Sequence, residues 1–268
     1  MPRIFITGAS TGLGKATALL FAQKGWDVIA TMRNPEYAND LKTIPNLTLM
    51  ALDVTKLAQI KSVVKKSIHG GTIDVVFNNA GYGLAGPFES ATDKQITDEL
   101  NTNLLGVMRI TKEFVPYFRE KKSGLFITTT SIGGLVAFPF NSVYHATKWA
   151  LEGWSESLAF ELNPFGIGIK TIAPGGIKTD FTTRSLQLTE HEAYTPLVQK
   201  TFAAFTNPER IANGSTAEEV AEVVFEAATD GKKQLRYIVG NGAKAAYAQR
   251  LKVGDEVFRA GIEKVFLG

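Results

Sequence analysis

A tyrosine and a lysine stand four residues apart in a strongly helical segment, as Tyr144 and Lys148. Side chains at this spacing lie on the same face of a helix. A phenol normally keeps its proton to a pH of about 10, but a neighbouring ammonium stabilises the tyrosinate and lowers the pKa. The pair therefore predicts acid–base chemistry at Tyr144, with its pKa below the usual value. Taken alone, the same spacing also fits an ordinary pair on the surface of an amphipathic helix.

A glycine-rich turn follows the first predicted strand and has the sequence Thr7-Gly8-Ala9-Ser10-Thr11-Gly12-Leu13-Gly14. Glycines permit a tight turn and a close approach of the backbone to a pyrophosphate, and the helix that follows offers N–H groups and a favourable dipole. Doubly wound sheets bind ligands at the carboxyl ends of their strands, where this turn lies. The turn predicts a phosphate site, although three glycines alone also fit a plain strand–helix connection.

The glycine spacing resembles the TGxxxGxG turn of the short-chain dehydrogenase/reductase family. Further segments match that family in order, and they are Asp53, Asn78-Asn79-Ala80-Gly81, the pair Tyr144 and Lys148, and Pro174-Gly175. The resemblance runs from Met1 to about Gly240. It implies a doubly wound, Rossmann-type α/β fold and an oxidoreductase that uses a nicotinamide cofactor.

The resemblance implies a catalytic set of Asn103, Ser131, Tyr144 and Lys148. Tyr144 would exchange a proton with the substrate oxygen, and Lys148 would also bind the nicotinamide ribose. Ser131 would hydrogen-bond the substrate oxygen and stabilise charge there. Three threonines precede it directly, so the serine is selected by its spacing from Tyr144 and not by its residue type. Asn103 would hold a water that links the lysine to solvent, with Asn101 as the disfavoured rival.

The resemblance also implies a set of cofactor contacts. Asp53 would bind the adenine amino group, Asn79-Ala80-Gly81 would hold the central sheet and touch the ribose, and Pro174-Gly175 would cover the nicotinamide. Singly, Asp53 also fits a helix N-terminal residue and Asn78–Gly81 a strand-ending turn. The complete implied set is Gly8, Ser10, Thr11, Gly12, Leu13, Gly14, Arg33, Asp53, Val54, Asn79, Ala80, Gly81, Tyr144, Lys148, Pro174, Gly175, Ile177 and Thr179.

The end of the second predicted strand favours NADP(H) over NAD(H). It reads Ala30-Thr31-Met32-Arg33-Asn34, without the acidic residue that would bind a ribose 2′-hydroxyl and repel a 2′-phosphate. The planar guanidinium of Arg33 suits a phosphate, and Ser10 offers a further donor. Arg33 also fits a solvated loop charge. Thr11 stands where many NADP-preferring relatives carry a basic residue, so NAD(H) stays open.

Short apolar runs alternate with longer helical patterns, which predicts a parallel sheet of about seven strands with helices on both faces. The predicted strands are Arg3–Thr7, Asp27–Thr31, Leu47–Ala51, Ile73–Asn78, Gly124–Thr129, Gly168–Ile172 and Arg236–Val239. The predicted helices are Gly12–Lys24, Lys56–Ile68, Asp93–Glu120, Ser142–Asn163 and Ala217–Ala228, the last with a capping box of Thr216 and Glu219. No linker divides the chain, so residues 1–268 are expected to form a single domain.

The segment 176–215 breaks this alternation and is predicted to be a substrate lid. Its apolar residues are Phe181, Leu186, Leu188, Tyr194, Leu197, Phe202 and Phe205. They suggest an apolar pocket with Leu135, Phe138 and Phe140 on the opposite wall, although packing of the lid against the sheet explains them equally well. A helical segment is expected at about 241–268. The runs Ala30–Arg33 and Gly81–Pro87 resemble the 17β-hydroxysteroid dehydrogenase type 1 branch, which implies hydrophobic ketones or alcohols.

Composition narrows the function classes. A net charge of +3, from 29 basic and 26 acidic residues, argues against nucleic acid. The absence of cysteine excludes disulfides and thiolate nucleophiles, and three histidines without convergent carboxylates predict no metal site. The apolar runs fall short of the ~20 residues of a membrane helix, and a strand predicted from Arg3 leaves no room for a secretory signal. We expect a cytoplasmic protein, and the family resemblance implies a homodimer or homotetramer.

Together these features predict hydride transfer between NADP(H) and the carbonyl or secondary alcohol carbon of an apolar substrate. One alternative is a non-catalytic, nucleotide-sensing protein of the same fold. The set Ser131, Tyr144 and Lys148 argues against it, because a pure binder needs no acid. An epimerase or dehydratase of the wider superfamily is a further alternative, ranked low because those relatives usually differ at the glycine turn.

Overall fold

A seven-stranded parallel sheet lies at the centre of the structure, a computed structural model that describes residues 1–178 and 185–268. The spatial order of its strands is β7-β6-β5-β4-β1-β2-β3, with the strands numbered along the chain. Their bounds are Arg3–Thr7 (β1), Asp27–Met32 (β2), Leu47–Ala51 (β3), Val75–Asn78 (β4), Gly124–Thr129 (β5), Ile167–Pro174 (β6) and Arg236–Val239 (β7). The order reverses between β1 and β4, as in a doubly wound fold, which confirms the predicted fold class.

Helices cover both faces of this sheet. Their bounds are Gly12–Gln23 (α1), Leu57–His69 (α2), Asp93–Leu100 (α3), Gly106–Lys121 (α4), Ser142–Leu162 (α5), Thr195–Phe205 (α6), Pro208–Ala212 (α7), Ala217–Thr229 (α8), Asn241–Val253 (α9) and Asp255–Phe266 (α10). The capping box of Thr216 and Glu219 at the start of α8 is confirmed, and Thr92 with Gln95 forms another at α3. No helix in the described ranges is long and apolar enough to cross a membrane.

Two apolar clusters fill the layers between sheet and helices. On one face, Phe21 of α1 meets Trp26 and Phe225 edge-on. On the other, Phe5 of β1 and Phe114 of α4 lie with their ring centres 5.1 Å apart. Because both faces are covered, the strands read as nearly continuous apolar runs without alternation. Because the seven strands are parallel, their carboxyl ends lie along one edge of the sheet.

The long helix predicted over Asp93–Glu120 is wrong in one respect. A π-helical turn at Asn101–Leu105 separates α3 from α4. Such a turn holds one residue more than an α-helical turn and commonly marks a functional site. Here it turns Asn103 inward, where its side chain hydrogen-bonds the backbone of Tyr82. Three strands also differ in their bounds: β2 ends at Met32 instead of Thr31, β4 begins at Val75 instead of Ile73, and β6 extends to Ile167–Pro174.

The predicted lid is largely structured within the described residues. Short parallel pairs join Ile177–Lys178 to Ser215–Thr216 and Gly83–Ala85 to Leu186–Leu188, and α6 and α7 lie between them. Phe181 and Thr179 lie outside the described residues. The expected C-terminal helical segment is confirmed as α9 and α10.

Candidate active site

The carboxyl ends of β1, β4 and β5 are tied together by one side chain, that of Asn79. Its amide nitrogen donates to the carbonyl oxygens of Thr7 and Gly8, both at 3.2 Å. Its Oδ1 accepts from the Thr129 hydroxyl at 3.2 Å, and its backbone N–H donates to the Thr7 hydroxyl at 3.0 Å. The glycine-rich turn and the strand that leads to Ser131 are therefore held in one hydrogen-bond network.

Two glycines of the glycine-rich turn lie too close to neighbouring atoms to carry a side chain. Gly8 has φ +69°, and a Cβ atom there would lie 2.7 Å from the Ala80 Cα. A Cβ atom at Gly14 would lie 2.6 Å from the Asn79 amide nitrogen. The glycines at these two positions thus let the turn and the segment after β4 approach each other.

The start of α1 has the donor set that an anionic phosphate requires. Ser10 and Thr11 are exposed, and Thr11, the N-cap, makes no side-chain capping bond in the described part of the chain. The first turn of α1 contains no acidic residue. Unpaired amides and the helix dipole favour an anion at such a terminus. The residues present therefore fit the phosphate groups of a dinucleotide.

The residues predicted to bind the adenosine half lie around the same sheet edge. Arg33 follows β2 directly and is exposed. Asp53 Oδ1 accepts from the Thr55 backbone N–H at 2.9 Å and from the Thr55 hydroxyl at 2.7 Å, which orders the turn before α2. Val54 is buried and packs where a Cβ atom at Gly106 would meet it. Asp53 therefore orders this turn, the N-cap of α2 is Lys56, and the adenine contact of Asp53 stays a prediction.

The predicted contacts beyond β6 are also near the carboxyl edge. Pro174 ends β6, and the Gly175 N–H donates to the Val239 carbonyl at 3.0 Å. Ile177 pairs with Ser215 in the short two-stranded segment. Thr179 cannot be placed, since it lies outside the described residues.

Ser131, Tyr144 and Lys148 come together beside the end of β5. The Ser131 hydroxyl hydrogen-bonds the Tyr144 phenol, and it also accepts from the Gly133 N–H at 3.0 Å. One turn further along α5, the Lys148 ammonium lies 5.7 Å from the centre of the Tyr144 ring. It donates to the Thr129 carbonyl at 2.9 Å. The arrangement places two hydroxyls and one ammonium within a single small region.

The predicted lowering of the Tyr144 pKa is wrong for the structure described. Burial raises the pKa of Tyr144 to about 12; the hydrogen bond with Ser131 opposes this rise and the negative charge of Glu99 adds to it. Burial also lowers the pKa of Lys148 to about 8, against the attraction of Glu99 and Glu152. The expectation failed because burial has the largest effect on the pKa of the phenol, while the Lys148 ammonium donates to the Thr129 carbonyl.

Asn103 connects the π-helical turn to α5. Its Oδ1 accepts from the Tyr82 N–H at 3.0 Å, and its amide nitrogen donates to the Tyr82 carbonyl at 2.7 Å. The same nitrogen lies 3.3 Å from the Thr147 hydroxyl and 3.5 Å from Glu99 Oε1. Asn103 is buried and Asn101 is not. The catalytic role of Asn103 stays a prediction.

Sequence reasoning missed two buried residues at this site, His145 and Glu99. His145 Nε2 accepts from the Phe138 N–H at 3.0 Å and its Nδ1 contacts the Gly133 carbonyl, so the ring holds the loop that carries Ser131. In the sequence, its position directly after Tyr144 could have indicated a role for His145 at this site. Glu99 is fully buried next to Asn103. No sequence pattern indicated this burial, since isolated acidic residues on helices are mostly exposed. Within residues 1–178 and 185–268, no group of three His, Asp or Glu side chains is placed to hold a metal.

Comparison with known proteins agrees with this geometry. Residues 2–189 match the model of the short chain dehydrogenase family. The chain belongs to the short-chain dehydrogenase family. An uncharacterized oxidoreductase of Schizosaccharomyces pombe is 37% identical over 85% of this chain and 97% of its own length. Bovine retinol dehydrogenase 8 is 30% identical over 87% of this chain and 80% of its own.

Solved structures of short-chain dehydrogenases share the fold. A short-chain dehydrogenase from Streptomyces avermitilis superimposes with a TM-score of 0.85 at 30% identity, over 98% of this chain and 95% of the other. ElxO with NADP bound gives a TM-score of 0.75 at 25% identity, over 92% of this chain and 99% of the other. The protein is thus an oxidoreductase of the short-chain dehydrogenase family.

Proposed function

We propose that this short-chain dehydrogenase reduces the carbonyl group of an apolar ketone or aldehyde with NADPH, and catalyses the reverse oxidation. The observation that carries the proposal is the hydrogen bond between the Ser131 and Tyr144 hydroxyls, with the Lys148 ammonium 5.7 Å from the tyrosine ring. Two hydroxyls that converge in this way suit a single carbonyl oxygen. An ammonium beside them suits the charge left behind when that oxygen takes up a proton.

The reaction divides between the cofactor and the chain. The nicotinamide supplies or accepts the hydride when it is bound. Ser131 donates a hydrogen bond to the carbonyl oxygen and Tyr144 gives that oxygen its proton, so that an alcohol forms and a tyrosinate remains. Lys148 offsets the tyrosinate charge until Tyr144 is reprotonated. Because the pKa of Tyr144 is about 12, the phenol is protonated at neutral pH, as reduction requires.

The preference for NADP(H) rests on Arg33 and on the absence of an acidic residue at the end of β2. NADP is also the cofactor bound in the related ElxO structure. We expect Arg33→Ala to raise the KM for NADPH by about tenfold or more and to leave the KM for NADH nearly unchanged, since only NADPH carries the 2′-phosphate.

The matched control is Arg119→Ala, which removes an exposed arginine from the last turn of α4. It should leave both KM values unchanged. Equal effects of Arg33→Ala on the two cofactors would contradict the phosphate role of Arg33.

An apolar substrate is supported by the aromatic residues between the Ser131 loop and the lid. Phe138 lies 5.7 Å from Phe205 of α6, and Phe140 lies 6.3 Å from Tyr194, measured between ring centres.

We also propose a single domain over residues 1–268, a cytoplasmic location, and a homodimer or homotetramer. The exposure of Phe160 and Trp149 on α5 supports association through that helix.

The test is the loss of NADPH absorbance, and separately of NADH absorbance, in the presence of aromatic, aliphatic and steroid ketones. Turnover with NADPH is expected, and the ranking of ketones defines the substrate pocket. Tight binding of both cofactors without any turnover would contradict the proposal and favour a nucleotide-sensing protein.

A further inference from the structure

Glu99 is a buried carboxyl group in the last turn of α3, and the proposed reaction gives it no role. Its side chain is 0% exposed. Oε1 accepts from the Leu84 N–H at 3.0 Å and lies 3.5 Å from the Asn103 amide nitrogen. Oε2 is equally buried and has no hydrogen-bond partner among the described residues. A carboxylate with one unsatisfied oxygen is costly to bury unless a cation compensates its charge.

Lys148 is the cation whose charge acts on the Glu99 carboxyl group. The attraction between the two groups lowers the pKa of Glu99 and raises that of Lys148. Hydrogen bonds also connect their helices, since Asn103 bridges Glu99 to the Thr147 hydroxyl, and Thr147 precedes Lys148 directly. The two charges thus belong to one buried group of side chains.

Other titratable groups surround this pair on three elements. Lys148 also feels Glu152 of α5, and Glu99 raises the pKa of both Tyr144 and Tyr82. Asp98 precedes Glu99 in α3, but it is half-exposed and pairs with Lys94. Glu152 is engaged elsewhere, because its Oε2 accepts from Arg236 at 2.8 Å. Of the two carboxylates that act on Lys148, Glu99 is therefore the one without another cation in the described residues.

We propose that Glu99 is the counter-charge of Lys148: its buried carboxylate holds the proton on the Lys148 ammonium and so extends to higher pH the range in which Tyr144 acts as an acid. Glu99 is a positioning residue that acts through Lys148, and it does not touch the substrate. This proposal rests on the proposed carbonyl reduction.

The sign of the effect follows from the pKa shifts. Burial raises the pKa of Glu99 to about 7, so above neutral pH the group is ionised. In that range its charge favours protonated Lys148 and protonated Tyr144, and both forms are needed for reduction. Removing the charge lowers both pKa values. The alkaline limb of the profile of kcat/KM against pH then moves to lower pH.

The test uses the full chain labelled with ¹³C at the lysine ε-carbons, with the Lys148 signal assigned by its loss in Lys148→Met. In Glu99→Gln, the midpoint of the Lys148 titration should fall by about one pH unit, and the alkaline limb of kcat/KM should fall with it. Glu99→Asp keeps the charge and should restore part of the shift. The control Asp98→Asn removes the same charge from the exposed neighbour and should leave the midpoint unchanged. An unchanged midpoint in Glu99→Gln would overturn the proposal.

A reciprocal measurement covers the case in which Glu99→Gln does not fold. Coupling between two titrating groups is mutual, so Lys148→Met should raise the midpoint of the Glu99 carboxyl, followed with ¹³C at the glutamate δ-carbons. Equal Glu99 midpoints in the wild type and in Lys148→Met would overturn the proposal. Both titrations are read without turnover. Failure to reduce any ketone would therefore contradict the proposed function, while the coupling would still be measured.

Discussion

Two lysines in this short-chain dehydrogenase are equally buried but have very different partners. Lys148 is 6% exposed and Lys170 is 5% exposed. The Lys170 ammonium, at the core of β6, donates to Asp230 Oδ1 at 2.6 Å, to the Ala227 carbonyl at 2.8 Å and to the Tyr237 hydroxyl at 3.1 Å. The Lys148 ammonium donates to the Thr129 carbonyl, and the described residues give it no carboxylate in direct contact.

The difference in partners distinguishes a structural charge at Lys170 from the charge at Lys148, to which the proposed function gives a role in the reaction. Burial alone would raise the pKa of Asp230, but the hydrogen bonds from Lys170 and Tyr237 lower it to about 2. Asp230 is therefore ionised at neutral pH, and both of its carboxylate oxygens accept a hydrogen bond. Around Lys148 the compensation is incomplete, and its pKa falls to about 8. Groups with perturbed pKa values in this range are the ones that can exchange protons during catalysis.

The largest expected effect that distinguishes the two lysines is on turnover in Lys148→Met. We expect kcat/KM for ketone reduction to fall about 10³-fold, because no ammonium offsets the tyrosinate. Stability at pH 7 should change by less than about 1 kcal/mol, since methionine fills a similar volume without a buried charge and Glu99, whose pKa is about 7, takes up a proton when its cation is removed. Steady-state kinetics and urea unfolding measure the two quantities. Retained turnover combined with a large loss of stability would reverse the assignment.

The smaller and opposite effect is expected in Lys170→Met. The free energy of unfolding should fall by about 3 kcal/mol, because Asp230 is left as a buried carboxylate without its hydrogen-bonded cation. The kcat/KM of the folded protein should stay within about twofold of the wild type. Urea unfolding with activity corrected for the folded fraction checks both values. A stable Lys170→Met variant with lost turnover would break the comparison.

The strands and the residues at their carboxyl ends were predictable because the signals are local. Apolar runs gave the bounds of β1, β3, β5 and β7 as the structure has them. The spacing of Tyr144 and Lys148 placed both on one face of α5, and the glycine pattern located the turn before α1. Each of these inferences depends on residues within a few positions of one another, and helical or strand geometry fixes their relation.

Long-range contacts and burial were not predictable from these patterns. Glu99 and Lys148 are far apart in the chain and come within electrostatic range of each other because α3 packs against α5. The sign of the Tyr144 pKa shift depends on how deeply the phenol is buried and on where the Lys148 ammonium points. The π-helical turn was missed because one added residue barely alters an amphipathic pattern. These features follow from packing, and a single sequence does not encode packing in local spacing.

The most direct test of the proposed acid–base site is Tyr144→Phe, which removes one oxygen atom and keeps the ring. We expect ketone reduction to fall by at least about 10³-fold, while the Kd for NADPH stays within about twofold of the wild type. That combination would assign the phenolic proton to the chemical step. Reduction at the wild-type rate in Tyr144→Phe would contradict the account, because the proton would then have to come from another group.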